Sequence, residues 1–195
     1  DRVYIVMATW QAGSYLAEQL ASLRRQTCRQ WQVLARDDGS TDGTPDLLRA
    51  EAGLPLHLVE EPRGRLCPAA GFGTLLLEAL ARGADYVFCA DQDDVWLPDK
   101  VETQLREMRA AEGVFGRHCP LLVHTDLAVV DTLLRPLHRS FVRYQRLDPR
   151  PADPFRGLLT HNFVTGCTLL ANRALLKAAC PVPPQSPVHD WWLAL

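Results

Sequence analysis

The pattern of apolar and polar positions divides the first 110 residues into short apolar runs and longer amphipathic stretches. Four largely apolar runs predict strands at residues 3–7, 31–35, 56–59 and 86–90. Such runs are typical of parallel strands that are covered on both faces. Between them, apolar residues recur at helical spacing and predict helices that begin near Gly13, Pro45, Ala69 and Lys100. This alternation indicates an α/β fold with a mostly parallel central sheet flanked by helices and a nucleotide-binding N-terminal half.

The second half of the chain has a weaker pattern. It predicts short strands at 121–125 and 128–131, weak alternation over 162–170 and a helix that begins at Asn172 and Arg173. Residues 137–153 mix arginine, histidine and proline without a clear period, which predicts a long loop, a kind of segment that often serves binding. We expect one domain over residues 1–195, divided into halves at 1–110 and 111–195.

The composition, 195 residues with 47% apolar and 23% charged, is that of a globular domain with a sizeable core. A formal net charge of −2 provides no basic footprint, so we expect no nucleic-acid partner. No apolar run approaches the roughly 20 residues of a membrane-spanning helix. The six cysteines lack CxxC spacing, which favours reduced thiols in a cytoplasmic protein. Because the chain starts at Asp1 and ends in an apolar run, we expect a piece of a longer protein, truncated at its C-terminal end.

The strongest candidate for chemistry is the acidic turn Asp91-Gln92-Asp93-Asp94, which follows the predicted strand at 86–90. In open α/β sheets ligands bind at the carboxyl ends of strands, where these acids are expected to lie. Carboxylates this close repel one another and are costly to bury, and a divalent cation would resolve the conflict. Oxygen ligands suit Mg²⁺ or Mn²⁺, which bridge carboxylates to substrate phosphates. The alternative is a solvated acidic turn in which Asp99 caps the next helix.

A second polar cluster, Asp37-Asp38-Gly39-Ser40-Thr41-Asp42-Gly43-Thr44, follows the predicted strand at 31–35. Asp, Ser and Thr at this density form Asx-turns and helix caps, and we interpret Ser40, Thr41 and Asp42 in this way. An acid at this edge can also accept a hydrogen bond from a pyrimidine imide N–H or a ribose hydroxyl. Both interpretations are open for Asp38.

An ordered set of motifs resembles the family 2 glycosyltransferases, which have the GT-A fold, and in particular their bacterial rhamnosyltransferase-like branch. The set spans almost the whole chain, and its order on matching elements is specific although each motif alone is weak. It consists of Ala8-Thr9-Trp10, Tyr15-Leu16, Gln26-Thr27, the turns 37–44 and 91–94, Gly166, and His189-Asp190-Trp191-Trp192. The resemblance implies inverting, metal-dependent transfer of a hexosyl or rhamnosyl group from a nucleotide-diphosphate sugar to a glycan or lipid-linked acceptor. A pyrimidine nucleotide, Mn²⁺ or Mg²⁺, and a place in polysaccharide biosynthesis belong to the same expectation.

The family's functional residues carry over only to matching positions. The nucleotide-sugar contacts that the resemblance implies are Ala8, Thr9, Trp10, Asp37, Asp38, Asp91 and Gln92, and the implied metal ligands are Asp93 and Asp91. Asp38 matches the acid that reads base and ribose. Asp190 matches the catalytic base, which takes the proton of the acceptor hydroxyl. The alternative for Asp190 is a helix N-cap ahead of Trp191 and Trp192. Residues 111–195 then form the acceptor-side half.

The chain departs from the family pattern in places. It has Trp10-Gln11-Ala12 where many relatives have Tyr-Asn-Gly, which predicts a differently shaped base pocket. Gly71 stands directly before Phe72, where many relatives have Asn. Arg63 and Arg65 are interpreted either as phosphate contacts or as part of a solvated loop. The arginines of the 137–153 segment either attract an anionic acceptor or membrane surface or are simply solvated. They are Arg139, Arg143, Arg146 and Arg150.

Two other functions are compatible with parts of the sequence. A non-catalytic nucleotide- or glycan-binding module could share the fold, but the joint presence of Asp38, Asp93 and Asp190 favours the enzyme. A nucleotidyltransferase would share the metal acids, but it usually has a Gly-rich, basic loop after the first strand, and residues 10–13 contain no basic residue. We expect a cytoplasmic location, extended by peripheral association with the inner face of the membrane.

Overall fold

The computed structural model describes residues 1–60, 64–148 and 152–195. Its strands are β1 (Val3–Thr9), β2 (Gln32–Asp37), β3 (Leu56–Leu58), β4 (Tyr86–Ala90), β5 (Leu122–Val123), β6 (Val129–Val130), β7 (Pro136–His138) and β8 (Leu170–Asn172). Its helices are α1 (Leu16–Arg24), α2 (Thr44–Ala50), α3 (Pro68–Ala81), α4 (Lys100–Phe115), α5 (Phe141–Tyr144), α6 (Pro154–Thr160), α7 (Arg173–Ala179) and α8 (His189–Ala194). A 3-10 helix, Gly166–Thr168, precedes β8.

Six strands form one sheet in the order β3-β2-β1-β4-β8-β5, and β6 and β7 form a separate hairpin. β1 pairs in parallel with β2 and β4, and β2 pairs in parallel with β3. β8 runs antiparallel to β4 and β5. The expected mostly parallel α/β sheet is therefore confirmed, and both halves of the chain contribute strands to it.

Helices cover both faces of the sheet, which explains why its central strands are apolar throughout. In β1, Ile5 and Met7 pack towards α1 and α4, whereas Tyr4 and Val6 pack towards α3, α7 and α8. This alternation follows from the two-residue period of a strand. Gly83 ends the region of α3 with a φ of 78°, a left-handed conformation that glycine adopts without strain.

The first half agrees with the sequence prediction apart from element ends. β1 and β2 each extend two residues beyond the predicted apolar runs, to Thr9 and Asp37, and both of these last residues are polar. α4 continues to Phe115, and Asp99 stands at its N-cap position without a side-chain capping bond. No helix within the described parts of the chain combines the length and apolar character needed to cross a bilayer.

The second half differs more from the prediction. The expected long loop at 137–153 contains the end of β7 and the four-residue helix α5, whose N-cap Ser140 accepts a hydrogen bond from Arg143 N–H at 3.0 Å. Helical periodicity did not predict α5 because none of its residues is buried. Arg150 lies outside the described residues. The expected helix start at Asn172 is confirmed, since Asn172 Oδ1 accepts from Leu175 N–H at 3.0 Å.

Helix α1 and the residues that follow it hold the acidic turn and the loop after it through hydrogen bonds. Gln19 Nε2 donates to the Asp91 carbonyl at 3.1 Å, and Gln26 Nε2 donates to the Leu97 carbonyl at 2.8 Å. Thr27 N–H donates to the next carbonyl of the same loop at 2.8 Å. Both glutamines are buried. The Gln26-Thr27 motif therefore holds the loop that carries the acids.

Candidate functional site

A cleft of about 380 Å³ opens at the carboxyl ends of β1, β2 and β4. Ligands of open α/β sheets bind at this edge. Of the residues implied by the sequence, the cleft brings together Ala8, Thr9, Trp10, Asp38, Asp91, Gln92 and Asp93. Asp37 instead lines an adjoining depression of about 620 Å³. Asp190 lines neither.

Asp37 is engaged by its own turn. Its Oδ1 accepts from the hydroxyls of Thr9 at 2.9 Å and Ser40 at 2.6 Å. Its Oδ2 accepts from the N–H groups of Ser40 at 2.8 Å and Gly39 at 3.1 Å. A carboxylate has about four acceptor positions, so these bonds leave Asp37 little capacity for a ligand.

The rest of this turn holds the loop after β1. Gln11 N–H donates to Ser40 Oγ at 2.8 Å, and Gly13 N–H donates to Asp42 Oδ2 at 2.8 Å. Hydrogen bonds from the Thr44 hydroxyl and from Gly13 lower the pKa of Asp42. These contacts agree with the interpretation of Ser40 and Asp42 as turn residues, and they fix the backbone beside the cleft.

Asp38 lies in an ion pair that the sequence analysis did not anticipate. Its partner is Arg36 near the end of β2. The Asp38 side chain is 13% exposed and the Arg36 side chain 3% exposed. The Leu66 N–H donates to both Asp38 oxygens at 2.9 Å. Arg36 also donates to the Gly64 carbonyl. Asp38 and Arg36 together therefore anchor the segment 64–66, which forms one wall of the cleft.

Trp10 forms another wall. The backbone N–H of Trp10 donates to Gln92 Oε1 at 2.7 Å, and Gln92 Nε2 donates back to the Trp10 carbonyl at 3.1 Å. The Arg65 guanidinium lies 4.0 Å from the centre of the Trp10 ring, a cation–π contact. Trp10 remains 45% exposed. An exposed, positioned aromatic ring with a cation beside it suits a planar or anionic ligand. Arg63 lies outside the described residues.

The acidic turn folds back so that two of its carboxylates meet a thiol. Oxygens of Asp91 and Asp94 and the sulfur of Cys167 lie within 4.8 Å of one another. Burial, followed by the charges of Asp94, Asp93 and Asp190, raises the pKa of Asp91 to about 7. Burial also raises the pKa of Asp94, whereas Cys167 and Lys100 oppose that rise. The cluster thus holds crowded, partly buried acids.

Asp93 points differently from Asp94. It is exposed and lines the cleft, whereas Asp94 belongs to the inner cluster with Cys167. Lys100 borders this cluster, and burial lowers its pKa to about 8. The described structure therefore offers two carboxylates towards the cleft, Asp91 and Asp93, and one carboxylate and a thiol behind them.

Asp190 lies in the first turn of α8, whose N-cap is Val188. Burial raises the pKa of Asp190, and hydrogen bonds from Trp191, Gly166 and Asn162 oppose this rise. The neighbouring His189 stacks on Phe72 of the cleft wall, with ring centroids 3.9 Å apart. Burial lowers the pKa of His189 to about 4, so its ring is neutral at physiological pH. Asp190 is thus connected to the cleft wall through its neighbour His189, which stacks on Phe72. The charge of Asp190 also contributes to the raised pKa of Asp91.

The residues that the sequence analysis missed or left unassigned are Arg36, Leu66, Cys167, Lys100 and Asn162. Arg36 carried one signal, because a charged residue at the end of a buried strand needs a partner. Leu66 acts through its backbone and leaves no signal in the sequence. Cys167 lies far along the chain from Asp91 and Asp94, the acids beside which it folds.

A model of the family described as "Glycosyl transferase family 2" matches residues 4–177. The putative teichuronic acid biosynthesis glycosyltransferase TuaG of Bacillus subtilis is 33% identical over 118 residues, 58% of this chain and 44% of that protein. The N-acetylglucosaminyl-diphospho-decaprenol L-rhamnosyltransferase of Mycobacterium tuberculosis is 31% identical over 120 residues, 54% of this chain and 36% of that protein. The chain spans about half or less of the length of these curated relatives.

Solved structures share the fold. Mannosyltransferase PcManGT from Pyrobaculum calidifontis, in complex with GDP-Man and Mn²⁺, aligns with a TM-score of 0.62 at 21% identity over 97% of this chain and 49% of that one. S. aureus TarS 1-349 in complex with UDP-GlcNAc aligns with a TM-score of 0.60 at 20% identity over 100% of this chain and 52% of that one. These alignments confirm the GT-A type of α/β fold.

Proposed function

The chain belongs to glycosyl transferase family 2, and from this premise we propose that it transfers a sugar, with inversion, from a nucleotide-diphosphate sugar to a hydroxyl group of a glycan or lipid-linked acceptor. The observation that carries the proposal is the cleft itself. It brings Trp10 and Asp38 together with the carboxylates Asp91 and Asp93 at one sheet edge. The acid Asp190 follows His189, whose ring stacks on Phe72 of the cleft wall.

In this proposal the nucleoside lies against Ala8, Thr9 and Trp10. The Asp38 carboxylate accepts a hydrogen bond from the base or ribose, because it is anchored by Arg36 and Leu66 and can only accept when ionised. Asp37 supports the same wall from within its turn. Gln92 holds Trp10 in place. A pyrimidine base is the expected ligand.

The donor set fits a divalent cation. Burial, and then the charges of neighbouring acids, raise the pKa of Asp91, so its ionised form needs a compensating positive charge. Asp91 and Asp93 would hold Mn²⁺ or Mg²⁺, and oxygen donors are the ligands these ions prefer. When bound, the ion neutralises charge on the diphosphate leaving group. The solved structure of PcManGT is a complex with GDP-Man and Mn²⁺.

Asp190 is proposed as the catalytic base. It takes the proton of the acceptor hydroxyl while that oxygen attacks the anomeric carbon, and the nucleoside diphosphate leaves from the opposite face. Its raised pKa suits this role, because a base poised nearer to neutrality accepts a proton more readily. His189 remains neutral and adds no charge to the site.

Relatives that are named for lipid-linked substrates support a lipid-linked acceptor. One is a UDP-Glc:alpha-D-GlcNAc-diphosphoundecaprenol beta-1,3-glucosyltransferase of Escherichia coli, 29% identical over 108 residues, 54% of this chain and 40% of that protein. Within the described residues, the exposed Arg139, Arg143 and Arg146 form no ion pair, and Leu137 in the preceding strand is also exposed. We extend the proposal to peripheral contact of this segment with the cytoplasmic face of a membrane, where anionic headgroups attract arginine.

A donor screen tests the proposed function. Thermal unfolding is followed with UDP, dTDP, GDP and CDP, each with and without Mn²⁺, and release of the nucleotide is then assayed from the matching sugar donors. We expect a pyrimidine diphosphate to raise the melting temperature only when the cation is present. A chain that is stabilised by none of the four nucleotides under either condition would contradict the proposal.

A further inference from the structure

Arg36 is a buried charged residue that connects two parts of the cleft wall. It occupies the last position but one of β2, and its side chain is 3% exposed. Its Nη1 donates to Asp38 Oδ1, and its Nη2 donates to the Gly64 carbonyl. The guanidinium therefore joins the end of a sheet strand to the segment 64–66, which leads into α3.

Stability alone does not explain a buried guanidinium at this position. Replacing a buried ion pair with apolar residues of similar volume is often neutral or stabilising. The Nε atom of Arg36 adds a cost, because it is buried and has no hydrogen-bond partner in the part of the chain that the structure describes. The preceding residues of β2, from Val33 to Ala35, are apolar and fully buried. What distinguishes Arg36 is the pair of groups that its other two nitrogens hold.

Asp38 holds the segment 64–66 at its other end. The Leu66 N–H donates to both oxygens of Asp38 at 2.9 Å, while the Gly64 carbonyl accepts from Arg36. Arg65 stands between these two anchored residues. The ion pair at the end of β2 therefore fixes the backbone on both sides of Arg65.

The Arg65 side chain reaches across the end of β2 to Trp10. Its guanidinium lies 4.0 Å from the centre of the Trp10 ring, and both residues line the cleft. Trp10 follows β1 and Arg65 follows β3, and β2 lies between these strands in the sheet. The cation–π contact thus closes the cleft wall over the strand end that carries Arg36.

The start of α3 packs against the same guanidinium. A Cβ at Gly71 would lie 3.7 Å from Arg36 Nη1 and 3.6 Å from the Cβ of Ala8 in β1. The Gly71 N–H donates to the Cys67 carbonyl at 2.9 Å, so this residue belongs to the first turn of the helix. Arg36 therefore lies where β1, the first turn of α3 and the segment 64–66 meet.

We propose that Arg36 is a positioning residue for the nucleotide donor. Together with Asp38 it fixes the segment 64–66, and through that segment it holds the Arg65 guanidinium on the Trp10 ring. A wall that is already ordered lowers the cost of ordering it when the donor binds, so Arg36 acts on donor affinity and not on the chemical step. The inference rests on the proposed binding of a nucleotide-diphosphate sugar against Trp10 and Asp38.

Fluorine NMR of the chain labelled with 5-fluorotryptophan tests the link between Arg36 and Trp10 without any ligand. Trp10→Phe assigns the Trp10 resonance, and Arg65→Ala gives its position when the guanidinium is absent. Arg36→Lys keeps a positive charge beside Asp38, but one ammonium group cannot replace the two nitrogens that span Asp38 and Gly64. We expect Arg36→Lys to move the Trp10 resonance most of the way to its position in Arg65→Ala.

The resonances of the other four tryptophans should stay in place, which shows that the variant is folded. A Trp10 resonance that does not move in folded Arg36→Lys would overturn the proposal. A resonance that Arg65→Ala leaves in place would overturn it too, because Arg65 would then not contact Trp10 in solution. Arg36→Gln, which has one NH₂ donor and no charge, replaces the lysine variant if that variant does not fold, and the same shift is expected.

Arg24→Lys is the matched control. Arg24 ends α1 and pairs with Glu51, whose side chain is 7% exposed, and neither residue lines the cleft. This variant should lower the melting temperature and leave the Trp10 resonance unchanged. If Arg24→Lys moves that resonance as far as Arg36→Lys does, general destabilisation explains the shift and the positioning role is wrong.

Donor binding separates this inference from the proposed function. For Arg36→Lys we expect nucleotide diphosphate to bind about tenfold more weakly by calorimetry, and the donor KM to rise by the same factor with kcat unchanged. An unmodified chain that binds no nucleotide diphosphate would contradict the proposed function and the donor role of Arg36 with it. Equal nucleotide affinity in the unmodified chain and in Arg36→Lys would contradict the role of Arg36 alone.

Discussion

Trp10 and Gln92 are joined by a reciprocal pair of hydrogen bonds. The backbone N–H of Trp10 donates to Gln92 Oε1 at 2.7 Å, and Gln92 Nε2 donates to the Trp10 carbonyl at 3.1 Å. One residue follows β1 and the other belongs to the acidic turn after β4. The pair therefore connects the expected nucleoside wall to the expected metal-binding turn.

Replacing Gln92 with Ala should weaken binding of a nucleoside diphosphate by about tenfold, because two hydrogen bonds that position Trp10 are lost. Calorimetry with the nucleotide identified in the donor screen measures the effect. Gln92→Glu keeps the acceptor for Trp10 N–H and should lose less affinity. Gln145→Ala, at an exposed position outside the cleft, serves as the control. Equal affinities for all of these chains would show that the pair does not organise the site.

Removing the Asp38 carboxylate should affect both stability and binding. Asp38→Ala leaves the Arg36 guanidinium, 3% exposed, without its carboxylate, which typically costs about 3–5 kcal/mol. Nucleotide binding should weaken by about 1–3 kcal/mol as well, because a ligand donor loses its acceptor. Urea unfolding and calorimetry measure the two effects separately.

The double variant Arg36→Leu with Asp38→Ala distinguishes the two roles of Asp38. It removes the uncompensated charge, so part of the lost stability should return. Nucleotide affinity should stay low, because the acceptor is still missing. If affinity returns together with stability, Asp38 acts only on the fold and the base-reading role is wrong.

The sequence predicted the first half of the fold well because its strands are buried on both faces. Tyr86 and Phe88 are almost fully buried, so the apolar run that marks β4 is unbroken. The second half was harder because β5 and β6 have two residues each and α5 buries none. Such elements are set by their neighbours and leave no period in the sequence.

The candidate acids of the site stand in sequence motifs, whereas the residues that contact them do not. Asp38, Asp91 and Asp190 stand in motifs that a resemblance can recognise. Arg36 and Leu66 have no such motif, and their contacts with Asp38 are made only in the folded chain. Asp37 illustrates the converse, because its place in the motif suggested a ligand contact whereas its oxygens are occupied by Thr9, Gly39 and Ser40.

Asp93→Ala should abolish the dependence of nucleotide binding on Mn²⁺, together with most transfer activity. Asp93 is the exposed carboxylate of the turn and faces the cleft, so its loss removes a ligand without disturbing the core. Calorimetry with Mn²⁺ and with EDTA measures the dependence. Equal affinity in the unmodified chain under both conditions would contradict the metal role. Asp99→Ala, which loses an acid of the same loop outside the cleft, is the control.

The metal-free chain should lose stability as the pH rises towards neutrality. The pKa of Asp91 is raised from 3.8 to about 7 in the folded state, so its contribution is fully present below the unfolded value and is lost as the pH passes through about 7. In EDTA, Asp91→Asn should therefore gain free energy of unfolding relative to the unmodified chain at about pH 8 and not at about pH 4.

Mn²⁺ should reverse this loss in the unmodified chain, because the cation binds the ionised form of Asp91. Asp42→Asn is the control for the pH series, since the pKa of Asp42 is lowered and its titration is complete before neutrality. The change in the free energy of unfolding that Asp42→Asn causes should be the same at about pH 6 and about pH 8. A pH dependence of the Asp91 variant identical to that of the unmodified chain would show that Asp91 is already ionised at low pH.

Asp190→Asn should leave donor binding near normal and lower the transfer rate by roughly 10²-fold or more, the scale of a lost general base. Asn keeps an Oδ1 that can accept from Trp191 N–H, which in the unmodified chain lies at 2.6 Å, so α8 should remain intact. Because burial raises the pKa of Asp190, the rate of the unmodified enzyme should fall as the pH drops through that pKa, and the variant should lack this limb. Stopped assays of nucleotide release across pH, with melting temperatures for each chain, provide the measurement. An unchanged rate combined with a lower melting temperature would instead assign Asp190 to the support of the helix.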